Sequence, residues 1–436
     1  MEWVVIISVL VMLVLSLLRV NVIIAIIAAA ITAGLMSGLS MVESIDLFVS
    51  GMGGQSSTAL SYILLGAFAV TISYTGITSL LVKFLIRVLT GKKTMLLLVI
   101  AGVACLSQNL IPVHIAFIPI LIPPLLKLFD SMRLDRRAVA VALTFGLTTP
   151  YIMIPAGFGL LFHETIYNAM ADSGLTVPMG DIALAMIIPG LGMVAGLFVA
   201  IFITYRKNRD AVEGAGGTGT LISEVDEQNV TFNRSHMLTI LSILAAFVVQ
   251  IVTTNLILGA LAGLFCMFLF FVTPFKKGDQ VISDGIKMMG FIAFVMLSAS
   301  GFATVIQETG AVSTLVEISS NMLGDNKAVI AFVLLLVGLL ITLGIGSSFG
   351  TVPILASLYV PICLAAGFSP LATTALIGTA GALGDAGSPA SDSTLGPTAG
   401  LNADGNHNHI WDTVVPTFIH FNIPLFIFGW IAALVL

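Results

Sequence analysis

The feature that most constrains this 436-residue chain is an internal duplication, in which segments of the sequence recur 234 residues further on. Sliding residues 68–157 onto residues 302–391 without a gap gives about 20 identities in 90 positions, roughly twice what apolar composition alone produces. The repeated residues are Thr75-Gly76 with Thr309-Gly310, Lys93 with Lys327, Pro119-Ile120-Leu121 with Pro353-Ile354-Leu355, and Pro155-Ala156 with Pro389-Ala390. In a membrane protein, such a repeat is typical of a secondary transporter whose site lies where the halves meet.

The composition places the chain in a lipid bilayer. It is 58% hydrophobic and only 9% charged, whereas a soluble domain of this length carries roughly a quarter charged residues. Apolar runs of 17 or more residues recur along the chain, and each is long enough to cross about 30 Å of hydrocarbon. The three cysteines lie in separate apolar segments, so they indicate neither a disulfide framework nor a metal cluster. We expect no cofactor and no nucleic-acid partner.

We therefore expect an all-α polytopic membrane protein, with about ten spans plus two re-entrant hairpins in two inverted-topology repeats. Two amphipathic segments, residues 41–51 and 279–287, lie at matching positions of the repeat and are expected to lie in the membrane interface. The expected spans lie near residues 4–18, 20–37, 59–87, 138–160, 181–204, 237–253, 256–273, 288–312, 371–389 and 411–436.

The expected hairpins are residues 94–129 and 328–366, which are apolar but broken in the middle by polar, Gly and Pro residues. The breaks run from Ser107 to His114 and from Thr342 to Thr351. Each segment fits either a re-entrant hairpin with two short arms or two tight spans, and both bring the chain back to the side it left. Irregular backbone at membrane depth is tolerated where it is buried in protein or lines a water-filled cavity. The hairpin interpretation therefore also predicts a site.

Basic residues predict the orientation of the chain in the cell membrane. With both termini outside, 16 of the 17 lysines and arginines fall on the cytoplasmic side, and only Lys327 falls on the other. Five spans per half is an odd number, so the halves are expected to be inverted. The expected division is a first repeat at 1–205, a cytoplasmic linker at 206–235 and a second repeat at 236–436. The first hairpin then enters from the cytoplasm and the second from outside.

The strongest candidates for chemistry are two acids, Asp385 and Asp392, in the polar stretch 378–397 that interrupts an apolar span. Placing a carboxylate inside a membrane costs free energy, so such a residue is by default a candidate for a functional site. Together with Ser388, nearby hydroxyls and freed carbonyls, the two acids offer the oxygen ligands that Na⁺ prefers. A carboxylate shielded from water can also carry a proton. The alternative for Asp385 is that it caps a half-helix or lies in a loop, and the same structural alternative applies to Asp392, which lies nearer the cytoplasmic end.

The hairpin breaks and the counterpart segment of the first half supply further candidates. Hydroxyls and amides in the breaks can bind a cation or a carboxylate, and half-helix N-termini favour anionic groups. The counterpart segment, residues 143–157, contains no acid, so a cation site would be asymmetric. Pro150 and Pro155 are expected to interrupt its helix, and a simple proline kink is the alternative. The candidates are Gln108, Asn109, His114, Ser347, Ser348 and Thr351 in the breaks, and Thr148 and Thr149 in the counterpart segment.

The histidines are ambiguous. His114 could bind substrate or move a proton, and a hydrogen-bonded packing role is equally compatible with its position. His163 and Glu164 are expected in a solvated external vestibule. His407 and His409 form an H-x-H pair, which is a weak indication of a metal site.

Two other classes of protein fit the sequence less well. Gly346-Ser347-Ser348-Phe349-Gly350 matches G-x-S-x-G, but a hydrolase needs a strand-to-helix elbow there. An intramembrane serine protease uses a similar string with a partner histidine, yet it gains nothing from a duplicated architecture. We therefore expect no enzymatic activity.

A channel would need an open polar pore, and the scarcity of pore charges argues against this class as well.

Three motifs of the second half resemble, in order and spacing, those of the NhaC-type sodium/proton antiporter family of the ion-transporter superfamily. They are GSSFGT (346–351), GSPASDST (387–394) and HNHIWDTVVPT (407–417). The chain is most similar to a shorter branch described as amino-acid transporters. The resemblance implies a homodimer with a scaffold and a mobile transport unit, and a site lined by Ser347, Ser348, Thr351, Ser388 and Asp392. The last motif departs from the family pattern, because Val415 stands where a glutamine usually precedes the proline.

From these observations we expect a secondary transporter that moves a small organic solute, most of all an amino acid, together with Na⁺ or H⁺. An elevator-like alternating-access mechanism is expected. The alternative is Na⁺/H⁺ exchange without organic cargo. The expected partners are the lipid bilayer, the solute, the cation and a second copy of the chain.

Overall fold

The computed structural model describes residues 3–18, 20–77, 92–109, 118–156, 158–207, 232–253, 255–311, 314, 326–346 and 348–436. The helices of the first half are α1 Val4–Leu17, α2 Val22–Met36, α3 Met41–Gly51, α4 Ser56–Tyr74, α5 Lys93–Asn109, α6 Ile118–Leu121, α7 Leu126–Ser131, α8 Arg136–Met153, α9 Phe158–Asp172 and α10 Met179–Thr204, whose last turn is π-helical. Those of the second half are α11 Arg234–Thr253, α12 Leu256–Leu269, α13 Gly278–Glu308, α14 Lys327–Ile345, α15 Ser348–Ala365, α16 Pro370–Gly387, α17 Asp392–Leu401 and α18 His409–Val435.

The expected all-helical membrane fold is confirmed. Within the described ranges, five helical segments are long and apolar enough to cross a membrane, and α3 and α4 form a sixth as a pair bent by 52°. Five further apolar helices are shorter. The five long segments are Met179–Thr204, Met289–Glu308, Lys327–Ile345, Ser348–Ala365 and His409–Val435. The number of spans stays a prediction.

Three of the expected segments differ from the structure. The span expected at 138–160 is two helices, because Ile154 is extended (φ −116°, ψ 118°) ahead of Pro155, where the helical conformation is disfavoured. Within the span expected at 59–87, helix α4 ends at Tyr74 and Gly76 adopts a left-handed φ of +73°, whereas residues 78–87 lie outside the described residues. Residues 279–287 are not a separate interfacial segment, since they belong to α13.

The helix bounds of the two halves correspond at the offset of 234 residues. Helix α8 begins at Arg136 and ends at Met153, and both ends of α16 lie 234 residues further on, at Pro370 and Gly387. The same offset relates the first residues of α5 and α14, the first residues of α9 and α17, and the last residues of α4 and α13. Helices of equal length and position in the two halves are what a duplicated fold requires.

Equivalent side-chain contacts repeat as well. Lys93 Nζ donates to the carbonyl of Arg133 at 3.0 Å, and Lys327 Nζ donates to the carbonyl of Gly367. Both acceptors have left-handed backbones, with φ of +49° at Arg133 and +72° at Gly367. Each lysine thereby ties the start of one helix to the chain 40 residues later, so each 36- to 39-residue segment returns to the side from which it started.

Equivalent helix crossings use small residues in both halves. A Cβ added to Gly146 of α8 would lie 2.3 Å from the Cβ of Ala104 on α5, so only glycine fits there. In the second half the equivalent crossing joins Gly338 of α14 to Ala380 of α16, with a corresponding distance of 2.5 Å. Glycine and alanine have exchanged helices while the summed side-chain volume has stayed the same. These crossings hold α8 and α16 at the middle of the molecule.

Candidate functional site

Two broken helical segments meet at the centre of the fold. In the first half the break separates α8 from α9, and in the second half it separates α16 from α17. Ser388 and Ser391 have extended backbones, and Ser391 caps α17 by accepting a hydrogen bond from the amide of Ser393 at 3.2 Å. Asp392 is the first residue of α17, where a carboxylate is favoured by the helix dipole. The second break therefore combines freed backbone groups with an acid.

Asp385 lies one turn before this break and is the most buried acid of the site, with 6% of its surface exposed. Its Oδ2 accepts hydrogen bonds from Tyr151 Oη and from Ser348 Oγ, the latter at 2.6 Å. The two hydroxyls are themselves 3.2 Å apart. Three helices thus contribute one side chain each: Tyr151 from α8, Ser348 from the start of α15, and Asp385 from α16. We call Tyr151, Ser348 and Asp385 the carboxylate cluster.

The hydroxyl of Ser348 has two alternative acceptors. Its Oγ lies 2.6 Å from Asp385 Oδ2 and 2.9 Å from the carbonyl oxygen of Gly381. A serine has one hydroxyl proton, so it donates to one of them at a time. When Asp385 is charged, Ser348 donates to it; when Asp385 carries a proton, the acid can donate to Ser348, which then donates to Gly381. The carboxylate cluster can therefore hold Asp385 in either protonation state.

Packing and hydrogen bonds around the carboxylate cluster fix its geometry. The ring of Tyr151 packs edge-on against Phe162, with ring centroids 5.1 Å apart. The side-chain amide of Asn422, at the end of a π-helical turn in α18, donates to the carbonyl of Leu383 at 2.6 Å. Thr342 Oγ1 at the end of α14 is 2.8 Å from the carbonyl of Ala380. These bonds tie α16 to α14 and α18 close to Asp385.

The turn after α14 lies against the second break. Gly346 has a left-handed φ of +72°, which glycine adopts without strain. A Cβ at this position would approach the carbonyl oxygen of Ala390 to 3.2 Å, so a side chain there would press on the break. Ser388 Oγ also bonds to the carbonyl of Leu343 at 3.2 Å. The motif 346–351 and the motif 387–394 are therefore neighbours in space.

A histidine satisfies a freed carbonyl at each break. His163 Nε2 lies 2.9 Å from the carbonyl oxygen of Ile152, and His409 Nε2 lies 2.8 Å from that of Pro389. His409 Nδ1 is 2.8 Å from Thr398 Oγ1 on α17, while His407 Nε2 is 2.7 Å from Thr413 Oγ1. A carbonyl only accepts, so Nε2 carries the proton in each of the first two bonds. The expectation of a solvated His163 is wrong, because that residue is fully buried.

The structure brings some of the predicted site residues together and leaves others apart. Asp385 and Ser348 are in direct contact, Thr351 is buried one turn further along α15, and Ser388 and Asp392 flank the second break. Thr148 Oγ1 donates to its own helix, at the carbonyl of Thr144, and Thr149 Oγ1 faces Met193 of α10 at 3.6 Å. His114, Ser347 and the side chains of Gln108 and Asn109 lie outside the described residues.

Sequence reasoning missed Tyr151, although the signal was present. Tyr151 and Asp385 are 234 residues apart, so they occupy equivalent positions of the two halves. A search for a second acid at this position finds only a phenol and passes over it. The phenol nevertheless supplies the proton that bonds to the acid.

A second charged cluster lies at the cytoplasmic end of α8, according to the predicted orientation. Arg136 binds Asp130 at 2.8 Å and Asp404 at 2.7 Å, and Arg136 Nη1 also donates to the carbonyl of Leu401 at the end of α17. Burial raises the pKa of Asp404, but the hydrogen bonds and charge of Arg136 outweigh it, so this pKa lies below its usual value. Across the described ranges, no group of three or more His, Cys, Asp or Glu residues is arranged to hold a metal ion.

Comparison with known proteins gives the family. Residues 142–430 match the family described as "Na+/H+ antiporter family", and residues 4–89 match "Na+-H+ antiporter family". The chain belongs to the Na⁺/H⁺ antiporter family. The resemblance to its NhaC-type members is thereby confirmed, and the protein is a multi-pass membrane transporter.

Two relatives match along their full length. The chain is 53% identical to "Uncharacterized membrane protein VP2115" of Vibrio parahaemolyticus, covering 99% of both chains. It is 48% identical to "Putative amino acid transporter YuiF" of Bacillus subtilis, again with 99% of both chains covered. Among solved structures it is similar to the YdaH transporter of Alcanivorax borkumensis, with 15% identity, a TM-score of 0.43, and 89% and 86% of the two chains covered.

Proposed function

We propose that this transporter moves a small amino acid across the cell membrane, coupled to Na⁺ or H⁺. The observation that carries the proposal is Asp385, a buried carboxylate held by Tyr151 and Ser348 where two broken helices meet. Burying an acid in a membrane transporter costs free energy, and binding or carrying a cation is the function that offsets this cost. Asp392, beside the same break, supplies a second charge.

The carboxylate cluster supports coupling by either cation. Oxygen atoms of Asp385, Ser348 and Tyr151 are ligands that Na⁺ prefers, and the two acceptors of Ser348 accommodate a protonated acid. If Na⁺ and H⁺ exchange at one carboxylate, that carboxylate has to be charged when it binds Na⁺ and protonated when it carries H⁺. The family membership implies a coupling cation, and the cluster is where we place it.

The organic cargo rests on two lines of support. One relative, 48% identical over 99% of the chain, is named as an amino acid transporter. The N-terminus of α17 and Asp392 also offer opposite charges within one turn, which matches the carboxylate and the ammonium group of an amino acid. The second candidate function, Na⁺/H⁺ exchange without organic cargo, is favoured by the description of the matching family.

We further propose that residues 1–205 and 236–436 form inverted repeats around the cytoplasmic linker 206–235, with both termini outside. The repeated helix bounds and the one-sided distribution of basic residues support this arrangement. External labelling of a single cysteine at position 215 in intact cells would contradict it.

The mechanism we propose is elevator-like movement within a homodimer. A separate hydrophobic cluster joins α4, α11, α12 and α13 away from the carboxylate cluster, as a static scaffold would require. It includes Phe68, Ala246, Leu264 and Val281. Cross-linking that finds only monomers in native membranes would contradict the dimer.

Transport by purified protein in liposomes tests the proposed function. Uptake of labelled amino acids is measured with and without an inward Na⁺ gradient and with and without a pH gradient. Gradient-driven accumulation of an amino acid is expected. Na⁺-driven proton movement, seen with an internal pH dye and with no amino acid accumulated, would replace the proposal with the second candidate. If neither amino acid accumulation nor Na⁺-driven proton movement is seen, both candidate functions are contradicted.

A further inference from the structure

Consecutive hydrogen bonds between buried side chains lead from the turn before α18 into the second break. His407 Nε2 lies 2.7 Å from Thr413 Oγ1, which lies 2.9 Å from Thr398 Oγ1. Thr398 Oγ1 lies 2.8 Å from His409 Nδ1, and His409 Nε2 lies 2.8 Å from the carbonyl oxygen of Pro389. We call His407, Thr413, Thr398 and His409 the histidine–threonine chain; all four side chains are buried.

The two ends of the histidine–threonine chain have different surroundings. His407 lies beneath a turn in which Asn406 and Asn408 are exposed, so its ring is close to the aqueous surface. His409 bonds to a carbonyl inside the break that separates α16 from α17, three residues before Asp392. The histidine–threonine chain therefore connects the surface with the break beside which the proposed function places a bound cation.

The hydroxyl of Thr398 allows two arrangements of protons. It carries one proton, and its acceptors are His409 Nδ1, Thr413 Oγ1 and the carbonyl oxygen of Thr394 at 2.9 Å. When His409 is neutral, Thr398 donates to its Nδ1; when His409 is charged, Nδ1 donates to Thr398, which donates onward to Thr413. The Nε2 proton stays on the carbonyl of Pro389 in both cases. Both ring nitrogens of His409 are therefore hydrogen-bonded in either protonation state.

These bonds are sufficient to move one proton. The Nδ1–H bond of His409 breaks as its proton binds Thr398 Oγ1, and the former proton of Thr398 passes to Thr413 Oγ1. The former proton of Thr413 then binds Nε2 of a neutral His407. Each hydroxyl gains one proton and loses one, so the net result is one proton moved from His409 to His407. Uptake follows the same bonds in reverse.

Charged groups surround the surface end of the histidine–threonine chain. Asp412 on α18 and Asp135 at the start of α8 favour a proton on His407, whereas the neighbouring Arg136 and a charged His409 oppose it. Burial is the larger influence, and it lowers the pKa of His407 below its usual value. A proton that reaches His407 is therefore released readily to water at the surface.

We propose that His409 is a proton-binding site of this transporter, separate from the carboxylate cluster and connected to the surface by Thr398, Thr413 and His407. The inference rests on the proposed function, because it requires that a cation bind at the second break. It adds a titratable group to the two acids of that break, and it assigns the polar residues of the motif 407–417 to proton movement.

The position of His409 couples its proton to the cation. Pro389 and Asp392 are three residues apart, so their Cα atoms lie within about 11 Å. Burial opposes the charge of an imidazolium, whereas nearby acids favour it. An empty break, with its acids uncompensated, therefore favours the proton on His409, and a cation bound at the break repels it. Proton and cation thus replace each other, as exchange requires.

Proton movement and cation exchange, measured with the same liposomes, test this inference. Proton movement driven by a gradient of NaCl, or of an equimolar mixture of the twenty amino acids, is followed with an internal pH dye. Exchange of radioactive Na⁺, and of the labelled amino-acid mixture, is measured at equal concentrations and equal pH on both sides. Exchange moves the cation in both directions without net proton movement, so it does not need the histidine–threonine chain.

Three variants separate proton movement from folding. Thr413→Val replaces a hydroxyl of the histidine–threonine chain by a methyl group of similar size. His409→Gln retains an amide donor for the carbonyl of Pro389 but cannot take up a proton. Thr417→Val is the matched control, because Thr417 is equally buried one turn further along α18 and donates to the backbone of its own helix. Size-exclusion chromatography checks that each variant folds.

Thr413→Val and His409→Gln should lose proton movement and keep exchange. Proton movement should fall about a hundredfold in both, as it does when a positioned proton-transfer group is removed. Thr417→Val should match the wild-type protein in both measurements. Wild-type proton movement in Thr413→Val or His409→Gln would overturn the inference. Equal losses of proton movement and exchange would also overturn it, because the residues would then serve folding alone.

The wild-type protein separates this inference from the proposed function. If a Na⁺ gradient drives amino acid accumulation and no protons move under either gradient, the proton site is overturned and the proposed function stands. If neither amino acids nor Na⁺ are transported, both are overturned.

Discussion

The two helix breaks have the same backbone design and different chemistry. Each follows an 18-residue helix, contains a Pro-Ala pair and has a freed carbonyl bonded by a histidine. The first break contributes the phenol of Tyr151, a neutral proton donor, whereas the second contributes the acids Asp385 and Asp392. The duplicated fold thus contains the interruption in both halves, whereas the acids stand at the second break.

The largest expected effect on transport comes from removing the charge of the second break. Asp385→Asn and Asp392→Asn keep the shape of the second break and remove its charge. In a desolvated site that charge is worth a few kcal/mol, so we expect one or both variants to lose gradient-driven uptake in liposomes. Both should still fold, which size-exclusion chromatography checks. Wild-type rates in both variants, with unchanged dependence on Na⁺ and pH, would place the site elsewhere.

The next largest effect on transport comes from the first break, which contributes the neutral phenol of Tyr151. Tyr151→Phe removes the hydroxyl that donates to Asp385 and leaves the ring packed against Phe162. A hydrogen bond to a charged group contributes about 1.5–3 kcal/mol, so transport should fall roughly ten- to a hundredfold without complete loss. Tyr359→Phe, with its hydroxyl bonded to the backbone of α14, is the control and should transport normally. Equal losses in the two variants would mean that the phenol of Tyr151 serves folding alone.

A smaller effect compares the two histidines. His163→Ala and His409→Ala each leave a carbonyl of a break unpaired, and each should lower the free energy of unfolding by about 1–3 kcal/mol. The loss should be larger for His409, because its second ring nitrogen also bonds to Thr398. Chemical unfolding in detergent measures both. A larger loss at His163 would show that the first break depends more on its histidine.

The smallest effect lies at the edge of the membrane, where α8 and the end of α17 share Arg136. The pKa of Asp404 is lowered in the folded protein, so its contribution to stability is present above the usual aspartate range and is lost as the pH falls through the lowered value. Asp404→Asn should therefore cost about 1 kcal/mol at neutral pH and remove part of the destabilisation seen below pH of about 4. Melting temperatures from pH 7 to pH 3 measure this. Parallel pH profiles of wild type and variant would exclude the ion pair as the cause.

The sequence predicted the repeat, the helical class and the meeting of the two second-half motifs. Pro155 predicted an interruption of the first-half helix, and α8 does end at Met153, just before it; Pro150, expected to interrupt the same helix, lies inside it. The sequence did not predict that residues 279–287 belong to the long helix α13, in which Asp284 is buried and paired with Lys287 at 3.0 Å. The contact of Tyr151 with Asp385 depends on how two helices cross, which no local pattern encodes.

The contact between Tyr151 and Asp385 has a consequence for how such a chain can arise. Two equivalent positions touch each other only where an axis relating the halves passes between them. In an ancestor made of two separate, identical half-length chains, one residue would meet its own copy at this point. Two facing aspartates would repel, and two facing tyrosines would carry no charge. Joining the halves into one chain lets the two positions mutate independently, and only then can an acid and its proton donor stand opposite each other.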